Sequence, residues 1–224
     1  MSQLQHKIFY LCASLKIARL MKEEFTIAFS DLFADEGWER GHTVDLTHLE
    51  GTCCYCAQES EEEIRRQLKD IPAGAVHHID GGDYHYLTLF FLEKISEPFQ
   101  LLLLDNHPDD QVPLLGEGLL SCGSWVRNAK KLENLKLVVR NQKPSADLPV
   151  YVSLDLDFLD KSFARTNWDQ GTASTEDAMA LIPERILGAD ICGGITKSQG
   201  GGPEDFSINS ATRRLFASFL AQRI

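Results

Sequence analysis

The stretch LLLLDNHPDDQ, residues 101 to 111, joins four consecutive leucines to three aspartates and one histidine. A segment that is apolar at every position, as 101–104 is, is typical of a central parallel strand with both faces buried. In open α/β sheets, ligands bind just beyond the carboxyl ends of such strands. The polar side chains after the leucines are therefore candidates for a functional site.

Spacing supports this interpretation. Alternate residues of an extended chain lie on the same side, so Asp105, His107 and Asp109 can converge on one point. The stretch VYVSLDLDFLD, residues 150 to 160, repeats the arrangement, with Asp155 and Asp157 on one face. The remaining alternative for either motif is an N-cap aspartate beside ordinary loop acids.

Clustered carboxylates on buried strands need compensation, because each uncompensated ionised group costs several kcal/mol. Neither motif contains lysine or arginine. Carboxylate oxygens and an imidazole nitrogen suit a hard or borderline divalent cation. The four negative charges would be balanced by two such cations.

Apolar strand-like runs alternate along the chain with segments of helical spacing, which predicts an α/β fold with a mostly parallel sheet and helices on both faces. The predicted strands are HTVDLTHL, AGAVHHID, FQLLLLD, LKLVV, LPVYVSLDLDF and ILGADICGG. The predicted helices are ESEEEIRRQLKDI, 84–95 and the amphipathic C-terminal segment that follows the flexible QGGGPEDFSIN connection. Residues 1–224 are expected to form a single domain.

Composition excludes several classes of partner. The 33 acidic residues outnumber the 22 lysines and arginines, and a formal charge of −11 would repel nucleic acid and anionic lipid headgroups. No apolar run has the ~20 residues that span a bilayer, and 1–20 lacks a cleavage signal. We expect a cytoplasmic protein with a small-molecule substrate. The six irregularly spaced cysteines are expected to be reduced.

Three motifs carry a family resemblance: GGDYH at 81–85, DNHPD at 105–109 and SLDLDFLD at 153–160. In this order, the chain resembles the arginase, agmatinase and formiminoglutamase superfamily of ureohydrolases, whose signatures read G-G-D-H, D-A-H-x-D and S-x-D-x-D-x-x-D. At 224 residues the chain would be a short, divergent member.

The resemblance implies a three-layer α/β/α sandwich with about eight strands, and two Mn²⁺ ions bridged by hydroxide. It also implies a homo-oligomer. One ion would be held by Asp105, Asp109 and Asp155, and the other by Asp105, His107, Asp155 and Asp157.

The first departure from the family pattern concerns a metal ligand. Tyr84 occupies the place of the family's first histidine, and His85 follows one residue later. A shift of one residue at a helix start rotates a side chain by about 100°. Our hypothesis is that His85 completes the first metal's shell, because imidazole is a better ligand than a phenol with a pKa near 10.

Two further departures concern catalysis and specificity. Cys122, before Gly123, occupies the place of a histidine that shuttles protons in the family. A thiol could take this role, or Cys122 could be a small buried residue. After Asp190, where the family has D-x-x-E with a glutamate for the guanidinium group, this chain has Gly193 and Gly194.

Other motifs have competing interpretations. Cys53 and Cys56 form a C-x-x-C pair before a helix start, which could lower a thiol pKa and allow a redox role. Four nearby glutamates disfavour a thiolate, and no second pair completes a zinc ribbon, so a redox role is the less favoured interpretation. His77 and His78 are better interpreted as core or loop histidines. The polar segment 164–177, with Trp168, is either a substrate loop or a plain surface loop.

These observations predict a metal-dependent hydrolase of a non-peptide C–N bond in a small amidine, guanidine or amide. Asp157 would assist proton transfer, with Cys122 as the second catalytic candidate. One alternative is a deacetylase-like hydrolase with one Zn²⁺. The other, favoured by Tyr84, Cys122 and Gly193, is a degenerate metal- or metabolite-binding protein without turnover. Metal stoichiometry discriminates among the three.

Overall fold

Seven parallel strands form the central sheet of the computed structural model, which describes residues 24–113, 116 and 118–224. They are β1 (Glu24–Ala28), β2 (His42–Asp45), β4 (Val76–Ile79), β5 (Phe99–Leu104), β7 (Leu135–Arg140), β8 (Val150–Asp155) and β9 (Gly188–Cys192). Their order is β2-β1-β4-β9-β8-β5-β7. Two short strands, β3 (Tyr55–Cys56) and β6 (Leu120–Ser121), pair antiparallel.

All six predicted strand segments lie in the sheet, and the α/β fold with a mostly parallel sheet is confirmed. The sequence did not predict β1, which brings the described strands of the central sheet to seven, where the resemblance implied about eight. Its apolar pattern is interrupted by Glu24 and Thr26, which are nevertheless only 2% exposed. Glu24 is buried because Arg40 and His78 pair with its carboxylate.

Helices cover the sheet. They are α1 (Leu32–Asp35), α2 (Gln58–Leu68), α3 (Thr88–Leu92), α4 (Trp125–Ala129), α5 (Thr175–Leu181) and α6 (Pro203–Ala221), together with 3₁₀ helices at Gly82–Leu87, Leu156–Phe158 and Lys197–Gln199. The predicted 84–95 helix is thus a 3₁₀ turn that continues into α3. Helix α6 begins with proline and then two acids, residues that suit the first turn of a helix.

The leucines of β5 show why the strand is apolar at every position. Leu101 and Leu103 pack into one hydrophobic core, and Leu102 and Leu104 into the core on the other face of the sheet. All four are fully buried. Each such side chain contributes roughly 1.5–3 kcal/mol by leaving water, so this strand fixes the middle of the molecule.

A buried ion pair holds the end of β9. Arg213 of α6 is completely buried, and its Nε lies 3.0 Å from Glu36 Oε2. Its other nitrogens donate to the carbonyls of Ile191, at 3.2 Å, and of Gly193, at 2.7 Å. Arg213 therefore sets the path of the chain as it leaves the strand beside β8.

No helix in the described part of the chain is long and apolar enough to cross a membrane. The expectation that 1–20 carries no cleavable leader falls outside the described residues. The single-domain organisation of 1–224 stays a prediction.

Candidate metal centre

Neighbouring strand ends bring the predicted residues together. β4, β9, β8 and β5 are adjacent in the sheet. Asp105 directly follows β5, Asp155 closes β8, and Asp157 lies in the 3₁₀ turn after it. His85 lies in the 3₁₀ helix that follows β4. Three chain segments therefore bring these side chains together at the carboxyl ends of the strands.

His85 faces the carboxylates. Its Nδ1 lies 3.2 Å from Asp105 Oδ2, 3.0 Å from Asp109 Oδ2 and 3.4 Å from Asp155 Oδ2. Tyr84 instead stacks on Phe29, with ring centroids 4.7 Å apart. Successive residues of a 3₁₀ helix point about 120° apart, because the helix has three residues per turn. Only one of the two side chains can therefore face the site.

A buried chain of hydrogen bonds assigns the imidazole tautomer. Ser153 Oγ donates to Asp190 Oδ1 at 2.7 Å and lies 2.9 Å from His85 Nε2. Since the hydroxyl proton is used on Asp190, the Nε2–H group of His85 donates to Ser153. The Nδ1 lone pair of a neutral ring then points at three carboxylates, an arrangement that requires a proton or a cation between them.

The carboxylates divide their oxygens between the loops and the site. In three of them one oxygen accepts a backbone N–H: Asp105 Oδ1 from His107, Asp155 Oδ1 from Asp157 at 2.9 Å, and Asp157 Oδ1 from Asn106 at 3.0 Å. Asp105 Oδ2 is buried without any hydrogen-bond partner. An orphaned buried carboxylate oxygen carries a full desolvation cost, so it fits a site built for a cation.

Two groups of donor atoms share Asp105. The first consists of His85, Asp105 and Asp109, and the second of Asp105, His107 and Asp157, with the donor atoms of each group within 4.8 Å of one another. His107 Nδ1 lies 2.7 Å from Asp157 Oδ2. Asp155 adjoins the first group through His85. This donor set, carboxylates with one imidazole on each side, fits a pair of divalent cations.

The pKa shifts of the cluster residues also indicate that the site needs positive charge. Burial raises the pKa of Asp105 to about 6 and the pKa values of Asp155 and Asp157 to about 7, and repulsion between neighbouring carboxylates adds to each shift. Burial opposes protonation of His85, but its contacts with Asp105 and Asp109 raise its pKa well above the usual value. The cluster thus attracts positive charge.

Several supporting residues were not found from the sequence. Asn141 at the end of β7 accepts from Asp105 N at 3.0 Å and donates to Asp105 O at 2.8 Å. Trp125 Nε1 donates to Asp109 Oδ2 at 2.7 Å. Asp109 has a φ of 46°, a left-handed conformation that is uncommon outside glycine. These partners come from distant segments, and no local pattern identifies them.

A cavity of about 450 Å³ opens onto the cluster. Trp168, in the polar 164–177 segment, lines it and donates from Nε1 to Asp83 Oδ1 at 3.0 Å. A Cβ on Gly82 would lie 2.8 Å from the Trp168 ring, so only glycine allows the indole this close. The 164–177 segment is therefore docked against the site and is not a plain surface loop.

The structure does not support the redox interpretation of Cys53 and Cys56. Cys56 is buried in β3 near the Ala57 carbonyl, whereas Cys53 lies near Asp83. Burial, helped by a nearby carboxylate, raises the pKa of Cys53 and raises that of Cys56 to about 12. Desolvation and acidic neighbours therefore outweigh any effect of the helix start on the thiol pKa.

Cys122 lines the cavity, as a catalytic thiol would. Burial, with Asp109 and Asp83 nearby, raises its pKa to about 12. Such a thiol gives up its proton rarely at neutral pH, so the structure does not favour Cys122 as the proton shuttle. His77 and His78 are both fully buried in the core, bonded to Tyr151, Pro72 and Glu24, and outside the cavity.

Two glycines follow β9 at the place where the resemblance leads one to expect an acidic side chain. Gly193 has a φ of 96°, and a Cβ there would lie 2.5 Å from Asp155 Oδ1. Gly194 has a φ of 136° and faces Leu32 and Glu36 at similarly short range. Side chains are excluded at both positions by the close approach of α1 and β8.

Sequence comparisons find a relative for part of the chain. No family model matches the sequence. An uncharacterized protein of Thermotoga maritima is 37% identical over 143 residues, which is 53% of this chain and 57% of that protein. The matched part thus spans a little over half of that relative.

Solved structures resemble the chain over most of its length. The proclavaminate amidino hydrolase of Streptomyces clavuligerus is 14% identical with a TM-score of 0.63, covering 91% of this chain and 93% of that one. The agmatine ureohydrolase of Thermoplasma volcanium is 13% identical (TM-score 0.60; 91% and 90%). Formimidoylglutamase of Bacillus subtilis is 11% identical (TM-score 0.59; 89% and 86%). The resemblance inferred from the three motifs is thus confirmed at the level of the fold, and the chain has the fold of the arginase, agmatinase and formiminoglutamase superfamily.

Proposed function

We propose that this protein is a metal-dependent hydrolase of a non-peptide C–N bond in a small amidine, guanidine or amide. The observation that carries the proposal is the placement of His85 Nδ1 within 3.0–3.4 Å of three buried carboxylate oxygens. This cluster forms the floor of a cavity large enough for a small molecule.

We divide the residues of the cluster between two proposed cation positions. His85, Asp105, Asp109 and Asp155 would hold one ion, and Asp105, His107, Asp155 and Asp157 the other. Oxygen-rich sets of this kind suit Mn²⁺, whereas one Zn²⁺ would suit a deacetylase-like enzyme. When bound, two divalent cations lower the pKa of water towards about 7 and polarise the scissile group.

The reaction needs a group that moves protons. A water oxygen bonds to the substrate carbon, the C–N bond breaks, and the nitrogen leaves with the proton that the water lost. Asp157 is our candidate for this transfer, because its carboxylate is buried and lines the cavity beside the proposed cations. The Asn106 N–H donates to its Oδ1 at 3.0 Å, and its Oδ2 lies 2.7 Å from His107 Nδ1.

The principal alternative is a metal-binding protein without turnover. The pKa of Cys122, about 12, favours it, because the position implied for a proton shuttle then has no group that titrates near neutral pH. The two candidates differ in one observable: a hydrolase converts its substrate into a product and releases it, whereas a binding protein does not.

The test combines elemental analysis with a substrate screen. The full chain, purified without chelator, is expected to contain about two divalent ions per chain, and to release ammonia, urea or amine from a panel of amidines, guanidines and amides when Mn²⁺ is added. Asp157→Asn serves as the inactive control. One zinc ion per chain would favour the deacetylase-like enzyme, and bound metal without release of any product would favour the binding protein.

A further inference from the structure

The cavity changes character above its floor. All charged or imidazole side chains among its described lining residues belong to the cluster itself. Every other described lining residue is uncharged, including Tyr55, Gln111, Leu119 and Trp168. A charged substrate arm that entered this space would lose water without gaining a counter-charge, which is costly.

The mouth of the cavity is unusually apolar for a surface. Tyr55, Val112 and Trp168 are 41%, 64% and 40% exposed, and all three line it. The described part of the chain has six such exposed large hydrophobic residues, so half of them meet at this opening. Pro113 and Leu119 extend the same wall. Concentrated exposed apolar surface of this kind marks a binding site.

The wall is also held in place. The indole of Trp168 lies against Gly82, donates to Asp83 Oδ1 at 3.0 Å, and meets His107 edge-on with centroids 5.8 Å apart. A preformed apolar wall binds a ligand without the cost of ordering it.

The adjacent strand end supplies no anchor for a cation. Gly193 and Gly194 carry no side chain, and nearby Asp83 already accepts from Asn167, Trp168 and Gln199. A cationic arm would therefore find no carboxylate outside the cluster among the described residues that line the cavity.

We propose that the substrate has an uncharged, apolar arm that lies between Trp168 and the wall formed by Tyr55, Val112 and Leu119, with its C–N group on the cluster. This inference rests on the proposed function. It identifies the substrate class as an amidine, guanidine or amide that carries an uncharged N-alkyl or N-aryl arm, as opposed to an amino acid or a diamine derivative.

Boronic acids test the arm separately from the reaction, because their tetrahedral form mimics the adduct of water with the scissile carbon. Methylboronic acid reports on the cluster alone. Pentylboronic, 4-aminobutylboronic and 3-carboxypropylboronic acids add arms of similar length that differ in terminal charge. Calorimetric titration of the manganese-loaded full chain is expected to give pentylboronic acid at least about tenfold tighter binding than either charged acid.

A charge-introducing variant sharpens the test. Val112→Glu would place a carboxylate at the mouth, and it should lower the affinity for pentylboronic acid about tenfold and raise that for the ammonium arm. Val112 is highly exposed, so the fold should accept the change. Leu137→Glu is the matched control, because Leu137 on β7 is 44% exposed and does not line the cavity.

The outcomes separate the two proposals. Binding of methylboronic acid together with equal or tighter binding of a charged arm would overturn the apolar arm and leave the hydrolase intact. Failure of all four acids to bind would overturn the hydrolase and the arm with it. A loss of pentylboronic acid affinity in Leu137→Glu equal to that in Val112→Glu would also overturn the placement of the arm.

Discussion

The carboxyl ends of β8 and β9 lie side by side, with Asp155 paired to Cys192, yet they carry opposite chemistry. β8 ends in two buried carboxylates, whereas β9 continues into two glycines in positive-φ conformations. The end of β8 thus carries side chains that fit cations, whereas the adjacent end of β9 carries none that could contact a ligand. The following predictions test each half of that contrast.

The largest effect is expected at the end of β8. Asp155→Ala should reduce bound divalent metal from about two ions per chain to nearly none, because its carboxylate would serve both ions. Elemental analysis after gel filtration measures this. Asp160→Ala is the matched control: its carboxylate accepts from Ser162 N at 2.8 Å, and the residue belongs neither to the donor groups nor to the cavity lining. Normal metal content in Asp155→Ala would contradict the shared position.

His85→Ala should remove one ion and leave the other, because His107, Asp155 and Asp157 remain. The expected occupancy is about one ion per chain. Tyr84→Phe is the natural control, since the Tyr84 ring stacks on Phe29 and its hydroxyl makes no contact that the proposal uses. If Tyr84→Phe lost metal and His85→Ala kept both ions, the assignment of the ligand would be reversed.

Metal removal should destabilise the protein, and more so at high pH. The folded pKa values of Asp105 and Asp155 lie above the ordinary carboxylate value, so without metal the folded state binds more protons than the unfolded state between about pH 4 and pH 7. Its stability therefore falls as pH rises through that window. The raised pKa of His85 acts in the same direction, because that contribution is lost as pH rises through the folded pKa.

Bound cations replace those protons. At a hundredfold excess over Kd they contribute about 2.7 kcal/mol, which corresponds to roughly 5–10 °C in Tm for a domain of this size. The Tm difference between manganese and chelator should be larger at about pH 8 than at about pH 5.5. Scanning calorimetry at both values measures it, and a difference independent of pH would argue against cation binding at these carboxylates.

The smallest effect is expected at the end of β9. Gly193→Ala should cost about 1–2 kcal/mol for its positive φ, and should also weaken metal binding, because its Cβ would strike Asp155 Oδ1. Gly200→Ala is the matched control, with a φ of 99° and no atom within 4 Å of the added Cβ. Both variants should melt earlier, but only Gly193→Ala should change the manganese affinity. Equal manganese affinities in Gly193→Ala and Gly200→Ala would contradict the contact between the end of β9 and the metal site.

Local sequence patterns were sufficient to predict the centre of the fold and to choose the side chains that line the bottom of the cavity. The apolar run 101–104 identifies a strand buried on both faces, and the two-residue spacing of Asp105, His107 and Asp109 follows from extended geometry. These are local properties of the chain. β1 was missed because its buried Glu24 becomes understandable only with Arg40 and His78, which reach it from other segments.

Tertiary structure alone decided which neighbour of the shifted motif faces the carboxylates, and why β9 ends without an acid. His85 points inward because Ser153 and Asp190, 68 and 105 residues away, take its Nε2 side, while Phe29 takes Tyr84. Glycine is required at 193 because a Cβ there would lie 2.5 Å from Asp155 Oδ1. The wall of the cavity combines residues from near 55, 112 and 168. Such contacts depend on through-space distances between remote segments, which no local periodicity encodes.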